Sequence, residues 1–177
     1  MRGITVDLST RNLPEVSAFV ASVQQYCKLI EHAQEFPLHE FMQKIAASMS
    51  QLYSLAQGLP DVYVHNSCDI PPSDFGRFEA SLSDYFGKYN FYSISLKPLA
   101  FEKPEFAVGS LADDLAELYS DIHCELDYYN SDELAKVEHS IWGWKFNFHA
   151  HWGEHLVDAL KQIHFLLYTE RIEFTKE

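Results

Sequence analysis

Cysteine is scarce in this chain of 177 residues. There are three, Cys27, Cys68 and Cys124, widely spaced and in no CxxC motif. An odd, scattered set argues against a disulfide framework and fits free thiols in a reducing cytoplasm, the expected location. Long apolar runs are lacking as well. No uninterrupted stretch approaches the roughly 18 residues of a membrane span. The opening residues MRGITVDLSTRNLP hold no apolar run suited to a signal peptide. Bases are few: 13 Lys and Arg stand against 26 Asp and Glu, for a formal charge of −13. Such an excess repels phosphates, so nucleic acid is an unsuitable partner. It favours solubility and steers cationic partners. Repeats, low-complexity tracts and a clear linker are absent too.

What remains is a chain rich in core-forming residues. Apolar side chains make up 47% of it and aromatic ones 15%, enough for a sizeable core and too much for disorder. The length suits a single helical domain over residues 1–177. Pro14 predicts the start of a first helix, because a proline in the first turn gives up an N–H that has no partner there anyway. Val16, Phe19, Val20, Val23, Tyr26, Cys27 and Ile30 then follow helical spacing. Pro37 predicts a second start, with Phe41, Ile45, Met49, Leu52 and Leu55 on one face and Gly58-Leu59-Pro60 as the stop. Ser73-Asp74 suggests a third helix carrying Phe75, Phe78, Leu82 and Phe86, closed by Gly87. Ser110, three residues before Asp113, resembles a capping box and opens a fourth helix running to about Tyr129. A last helical pattern runs from about Ser131 to Thr169, with Gly143 and Gly153 placed to bend or divide it. The expected fold class is all-α: an antiparallel bundle of about five to six helices, with an irregular aromatic loop around residues 88–109.

Two features carry chemistry. From Asp113 to Glu133 there are eight acids and no Lys or Arg. Charge runs are usually solvated helix faces. As a function, Asp113, Glu117, Glu125, Asp127, Asp132 and Glu133 would form an acidic docking surface for a basic partner. The second feature is HAHWGEHLVDAL, residues 149–160. Leu134, Ile141 and Phe148 are spaced by seven, and the next term is His155. Val137 and Trp144 lead in the same way to His151 and Asp158. His151, His155 and Asp158 thus stand at i, i+4 and i+7 on one helix face. Polar groups in an apolar seam need partners. Asp114, Glu117 and Asp121 on the acidic helix are the facing candidates.

Three readings of this cluster compete. It is a buried network that fixes helix register, or a metal site completed by carboxylates from the facing helix, or an acid–base pair built on a histidine and a carboxylate. HWGEH is not the HExxH of zinc proteases, and the Glu-x-x-His of di-iron bundles is missing here.

The blocks LADDLAELYSDI (111–122) and IWGWKFNFHAHWGEHLVDALKQIHFLL (141–167) resemble a bacterial family of small proteins classed as a domain of unknown function. Its members carry an acidic DDLA-x-[IL]-Y-x-D segment, then W-x-W-[RK]-F-x-F, then HWGxHLxDAL. The resemblance covers roughly residues 105–168. Asp113, Asp114 and Asp121 match the first segment, and Trp144, His151, Trp152, Gly153, His155 and Asp158 match the later ones. Gly143 departs from a position where a glutamate or another helix former is expected. The resemblance implies an all-helical fold and a cytoplasmic bacterial setting, and it implies no activity. The functional expectation is therefore a non-catalytic binding protein with a cationic protein partner and no cofactor. Acidic immunity proteins that neutralise basic toxins are one such class. The alternative is a metal-dependent or His/carboxylate hydrolase, using a divalent metal such as zinc and centred on His151, His155, Asp158, Asp114 and Asp121.

Overall fold

Two prolines set the start of the first helical hairpin. The computed structural model describes residues 10–64, 76–97, 99 and 102–169. In it, α1 (Pro14–Glu31) begins on its proline, and α2 (Leu38–Ala56) begins directly after Pro37. The inward stripes are those the spacing predicts: Phe19, Val23, Tyr26, Phe41, Ile45, Met49 and Leu52 are fully buried. The third helix, α3 (Glu79–Phe86), starts later than expected and stops at Gly87, whose φ of +52° suits glycine. Ser73, Asp74, Phe75 and Cys68 lie outside the described residues.

The region expected to be an irregular loop contains a β-hairpin. Strand β1 (Phe91–Ser95) pairs antiparallel with β2 (Phe106–Ser110), with Phe91 opposite Ser110 and Ser95 opposite Phe106. The partner FAVGS reads weakly as a strand because of its glycine and serine, so β1 looked unpaired in the sequence. Gly109 has a packing purpose. A Cβ there would stand 2.5 Å from Ile94 Cδ1 and 2.7 Å from Tyr92 Cζ. Only a residue without a side chain lets Tyr92 lie across β2 towards the next helix.

That helix, α4 (Leu111–Tyr129), starts as predicted. Ser110 Oγ accepts from the Asp113 N–H at 3.2 Å. A second cap comes from a distance: the buried Asn90 accepts from the Ala112 N–H at 2.9 Å through its side chain, and its carbonyl accepts from the Leu111 N–H. The hairpin and the start of α4 are thereby locked together.

The final helical pattern is divided. Its two parts are α5 (Leu134–Ala150) and α6 (Trp152–Tyr168), separated by His151 at φ −150° and ψ −81°. Gly143 does not interrupt α5. Contacts along α4 advance backwards through both later helices. Glu125 lies under Gly143, Trp144 Nε1 donates to the Ile122 carbonyl at 2.9 Å, and Asp121 and Asp114 meet His151 and His155. Both helices therefore pack antiparallel to α4. Among the described residues, the six α-helices build one apolar cluster around Phe19, Trp144 and Trp152. No helix among the described residues is long and apolar enough to cross a membrane.

Gly153 makes the α5–α6 corner. A Cβ there would come 2.2 Å from the Phe148 carbonyl oxygen, a main-chain atom that cannot rotate away. Gly153→Ala should therefore cost about 1–3 kcal/mol through overpacking. An unchanged urea midpoint for this variant would show that the corner opens freely.

Candidate metal centre

The corner decides where the histidines go. The heptad extrapolation places His151 in the apolar seam behind Val137 and Trp144. The helix ends one residue short of it, so the extrapolation fails there. His151 sits at the junction with its side chain 46% exposed. Trp152, the next residue, takes the buried position instead and donates its Nε1–H to the Trp144 carbonyl at 3.1 Å. His155, one turn into α6, is half-buried beside His151, with ring centroids 4.8 Å apart.

Each histidine meets α4 through both ring nitrogens. Asp121 accepts from His151 Nδ1 at 2.6 Å, and Asp114 accepts from His155 Nδ1 at 2.8 Å. Between them stands Glu117. Its Oε2 lies 2.9 Å from His155 Nε2 and 3.5 Å from His151 Nε2. Asp114, Glu117 and Asp121 are spaced i, i+3 and i+7, so α4 shows them as one stripe. Asp114 is nearly buried and is held on its other oxygen by the Tyr92 hydroxyl, which the hairpin delivers over Gly109. Burial, with the Asp114 hydrogen bond and charge, pushes the Tyr92 hydroxyl far up, so it stays a donor.

Carboxylates on both Nδ1 atoms fix the tautomer: the protons sit on Nδ1 and the Nε2 lone pairs face Glu117. A lone pair 2.9 Å from a carboxylate oxygen is unfavourable unless a proton or a cation lies between. Without an ion the proton serves, and the pKa of His155 is raised. The Asp114 hydrogen bond is the largest cause, opposed by burial and assisted by the charges of Glu117, Asp114 and Asp113. With an ion, Glu117, His151 and His155 each offer one atom, all within 4.8 Å of one another. Zinc bonds of about 2.0–2.1 Å in a tetrahedron separate ligand atoms by about 3.3 Å. The two separations from Glu117 bracket that figure, and the two histidine nitrogens lie within 4.8 Å of each other.

The expected site residues divide accordingly. Asp114, Asp121, His151 and His155 come together. Asp158 lies along the same face but makes no hydrogen bond or ion pair with either histidine among the described residues. Its pKa is raised by burial first, then by Asp114 and Glu154. Tyr92 was missed, because it reaches the site only through a strand pairing the sequence did not reveal.

The acidic docking surface needs correction. Glu117 belongs to the histidine site. Glu125 is 1% exposed, with both oxygens unpaired among the described residues. Its carboxyl fills the space left by Gly143, where an added Cβ would stand 2.2 Å from Glu125 Oε1. The unusual glycine in the aromatic segment thus makes room for a buried acid. Asp127, Asp132 and Glu133 are exposed, and Asp113 is half-buried.

The family model of a domain of unknown function, DUF5063, matches residues 11–169, and the chain belongs to that family. No curated protein matches it. The crystal structure of protein BF1032 from Bacteroides fragilis superposes with a TM-score of 0.76 at 18% identity, covering 93% of this chain and 99% of that one. At that identity the likeness establishes the helical fold alone.

Burial, and secondarily the charge of Asp121, pushes the Glu125 carboxyl up from its ordinary 4.5 to about 8. The folded state therefore favours the protonated acid. Its contribution to stability is complete below the ordinary value and is lost as pH rises towards the folded one. The raised His155 contributes in the same direction, losing stability as pH rises through its folded value. Urea midpoints should fall between about pH 5 and pH 9. Glu125→Gln should gain on the wild type progressively across that interval. Parallel pH profiles for the two proteins would show that Glu125 is ionised in the folded state throughout.

Proposed function

We propose that the protein binds a divalent transition-metal ion, zinc first, through Glu117, His151 and His155, and that this ion is its working centre. The observation that carries the reading is the pair of Nε2 lone pairs aimed at one carboxylate oxygen, with both Nδ1 atoms already held by Asp121 and Asp114. Carboxylates behind ligating histidines orient the rings and raise their basicity. Two imidazoles and one carboxylate suit zinc, and three protein ligands leave a tetrahedral ion one position for water. The hydrolase reading, centred on His151, His155, Asp158, Asp114 and Asp121, shares the two histidines with this site, and a water on zinc becomes a nucleophile near neutral pH.

Docking of a cationic protein is the second reading. It is favoured by Asp127, Asp132 and Glu133, which remain exposed around the end of α4, and by the charge of −13. Acids at a helix C-terminus oppose the macrodipole, and the last turn of α4 holds no base, although Glu133 just beyond it pairs with Lys136 at 2.6 Å. Withdrawal of Glu117 and Glu125 from that surface makes it smaller than the sequence suggests, so the metal reading stands first.

Calorimetric titration of chelator-treated, untagged protein with Zn²⁺ should give one equivalent bound, and the thermal midpoint should rise with added metal. His151→Ala and His155→Ala should each weaken binding by about 100-fold or more. Asp121→Asn and Asp114→Asn, which keep both imidazoles, should weaken it about 10–100-fold. Equal affinity in the wild type and the two histidine variants would remove the site from consideration.

A further inference from the structure

A structural zinc site is closed by four protein ligands, whereas this one faces solvent. The side chains of His151, Glu117 and His155 are 46%, 33% and 25% exposed. An ion held by them therefore keeps a position that water or a ligand from solution can reach. The surroundings of that position determine which ligands it takes.

The surroundings are acidic. Glu117, Asp114 and Asp121 place three carboxylates on or directly behind the ligand atoms. A doubly charged ion leaves that group with a net negative charge. Asp113 lies close enough to act on His155, and Glu154 close enough to act on Asp158. Among the described residues, no Lys or Arg forms an ion pair with Asp114, Glu117, Asp121 or Asp158. The nearest base acting on this face is Lys161, through Asp158. The Tyr92 hydroxyl, the natural donor for an incoming oxyanion, is already given to Asp114. Centres that process phosphates or carboxylates place cations or free donors where the negative charge will rest. Here the corresponding places are occupied by acids.

Resting on the metal reading above, we infer that the solvent-facing position on the ion takes neutral nitrogen donors, such as imidazoles and primary amines that release their proton to solvent on binding, and disfavours phosphates, carboxylates and other anions. The ligand class of the site is thus amine-bearing. Its acidic rim acts as a charge filter, with Asp113 and Glu154 as specificity-determining residues that do not touch the ion.

The test uses the full chain loaded with Co²⁺, whose visible absorption reports its ligands. Imidazole and azide serve as the neutral and anionic probes, at about pH 8, where imidazole is uncharged. Cobalt content is checked after desalting. Imidazole should shift the bands at concentrations at least about tenfold below those azide requires. The double variant Asp113→Asn/Glu154→Gln should keep its cobalt and bind azide about three- to tenfold more tightly than the wild type. Azide binding as readily as imidazole would overturn the inference. So would bound cobalt whose bands neither probe moves, since that shell is closed, although the metal reading would then survive. Failure to take up cobalt or zinc at all defeats the metal reading, and this inference with it.

Discussion

Four carboxylates on one stripe of α4 must be accommodated on a helix that carries no Lys or Arg. Asp114, Glu117, Asp121 and Glu125 follow one another at three- and four-residue intervals, so each neighbouring pair repels, by about 0.2–0.5 kcal/mol on an isolated helix. Burial between helices raises that penalty, because the local dielectric falls. The fold meets it with three different devices. Asp114 receives a histidine N–H from α6 and Asp121 one from the α5–α6 junction, and Asp114 receives a tyrosine hydroxyl besides. Glu117 faces two imidazole nitrogens. Glu125 has no donor within reach among the described residues, and burial favours its protonated form instead. Both pieces of the last helical segment, and the hairpin, are placed so that these devices work.

The apolar core supplies the precision. Trp144 donates to the Ile122 carbonyl and so fixes α5 against α4. Trp152 donates to the Trp144 carbonyl and so fixes the start of α6 against α5. These two buried indoles bracket the corner at His151. A shift of either helix by a fraction of a turn would break a buried hydrogen bond, which leaves an unsatisfied group costing on the order of 1–3 kcal/mol. The imidazole at this corner is therefore positioned by the two buried tryptophans. Asn90 plays the same part at the other end, where its cap holds the first turn of α4, and with it Asp114, against the hairpin.

Features set by short-range chemistry were legible in the sequence. Pro14 and Ser110 mark helix starts because a missing N–H and a capping hydroxyl act on neighbouring residues. The pairing of α4 with the histidine segment was legible too, since each helix carries one polar stripe and only the other could satisfy it. What escaped the sequence depends on distant contacts. Gly153 marked a division of the last segment, but heptad extrapolation carried across it put His151 in the apolar seam, whereas tryptophan packing and the close approach at Gly153 turn it out at the break. Strand β1 gained its partner from a segment with little strand character, and Tyr92 was lost with it. Glu125 looked like a surface acid because nothing on α4 reveals that Gly143, on another helix, leaves a hole of its size.

Exposure separates a register device from a binding site. A network that merely fixes helix register works best sealed from water, where each hydrogen bond is strong and each mismatch is costly. His151 is nearly half exposed, and ion pairs in such a setting contribute about 0–1 kcal/mol. Such small returns do not explain why two imidazoles are each gripped at Nδ1 and aimed at one carboxylate oxygen. The proposed cation would explain it: it would convert facing lone pairs from a repulsion into shared coordination, and it would repay the restriction of both rings at the moment of binding. The same argument accounts for the division of labour on α4. Asp114 is buried and Asp121 partly so, where they hold the rings firmly, while the Glu117 side chain is left more open, at 33% exposed.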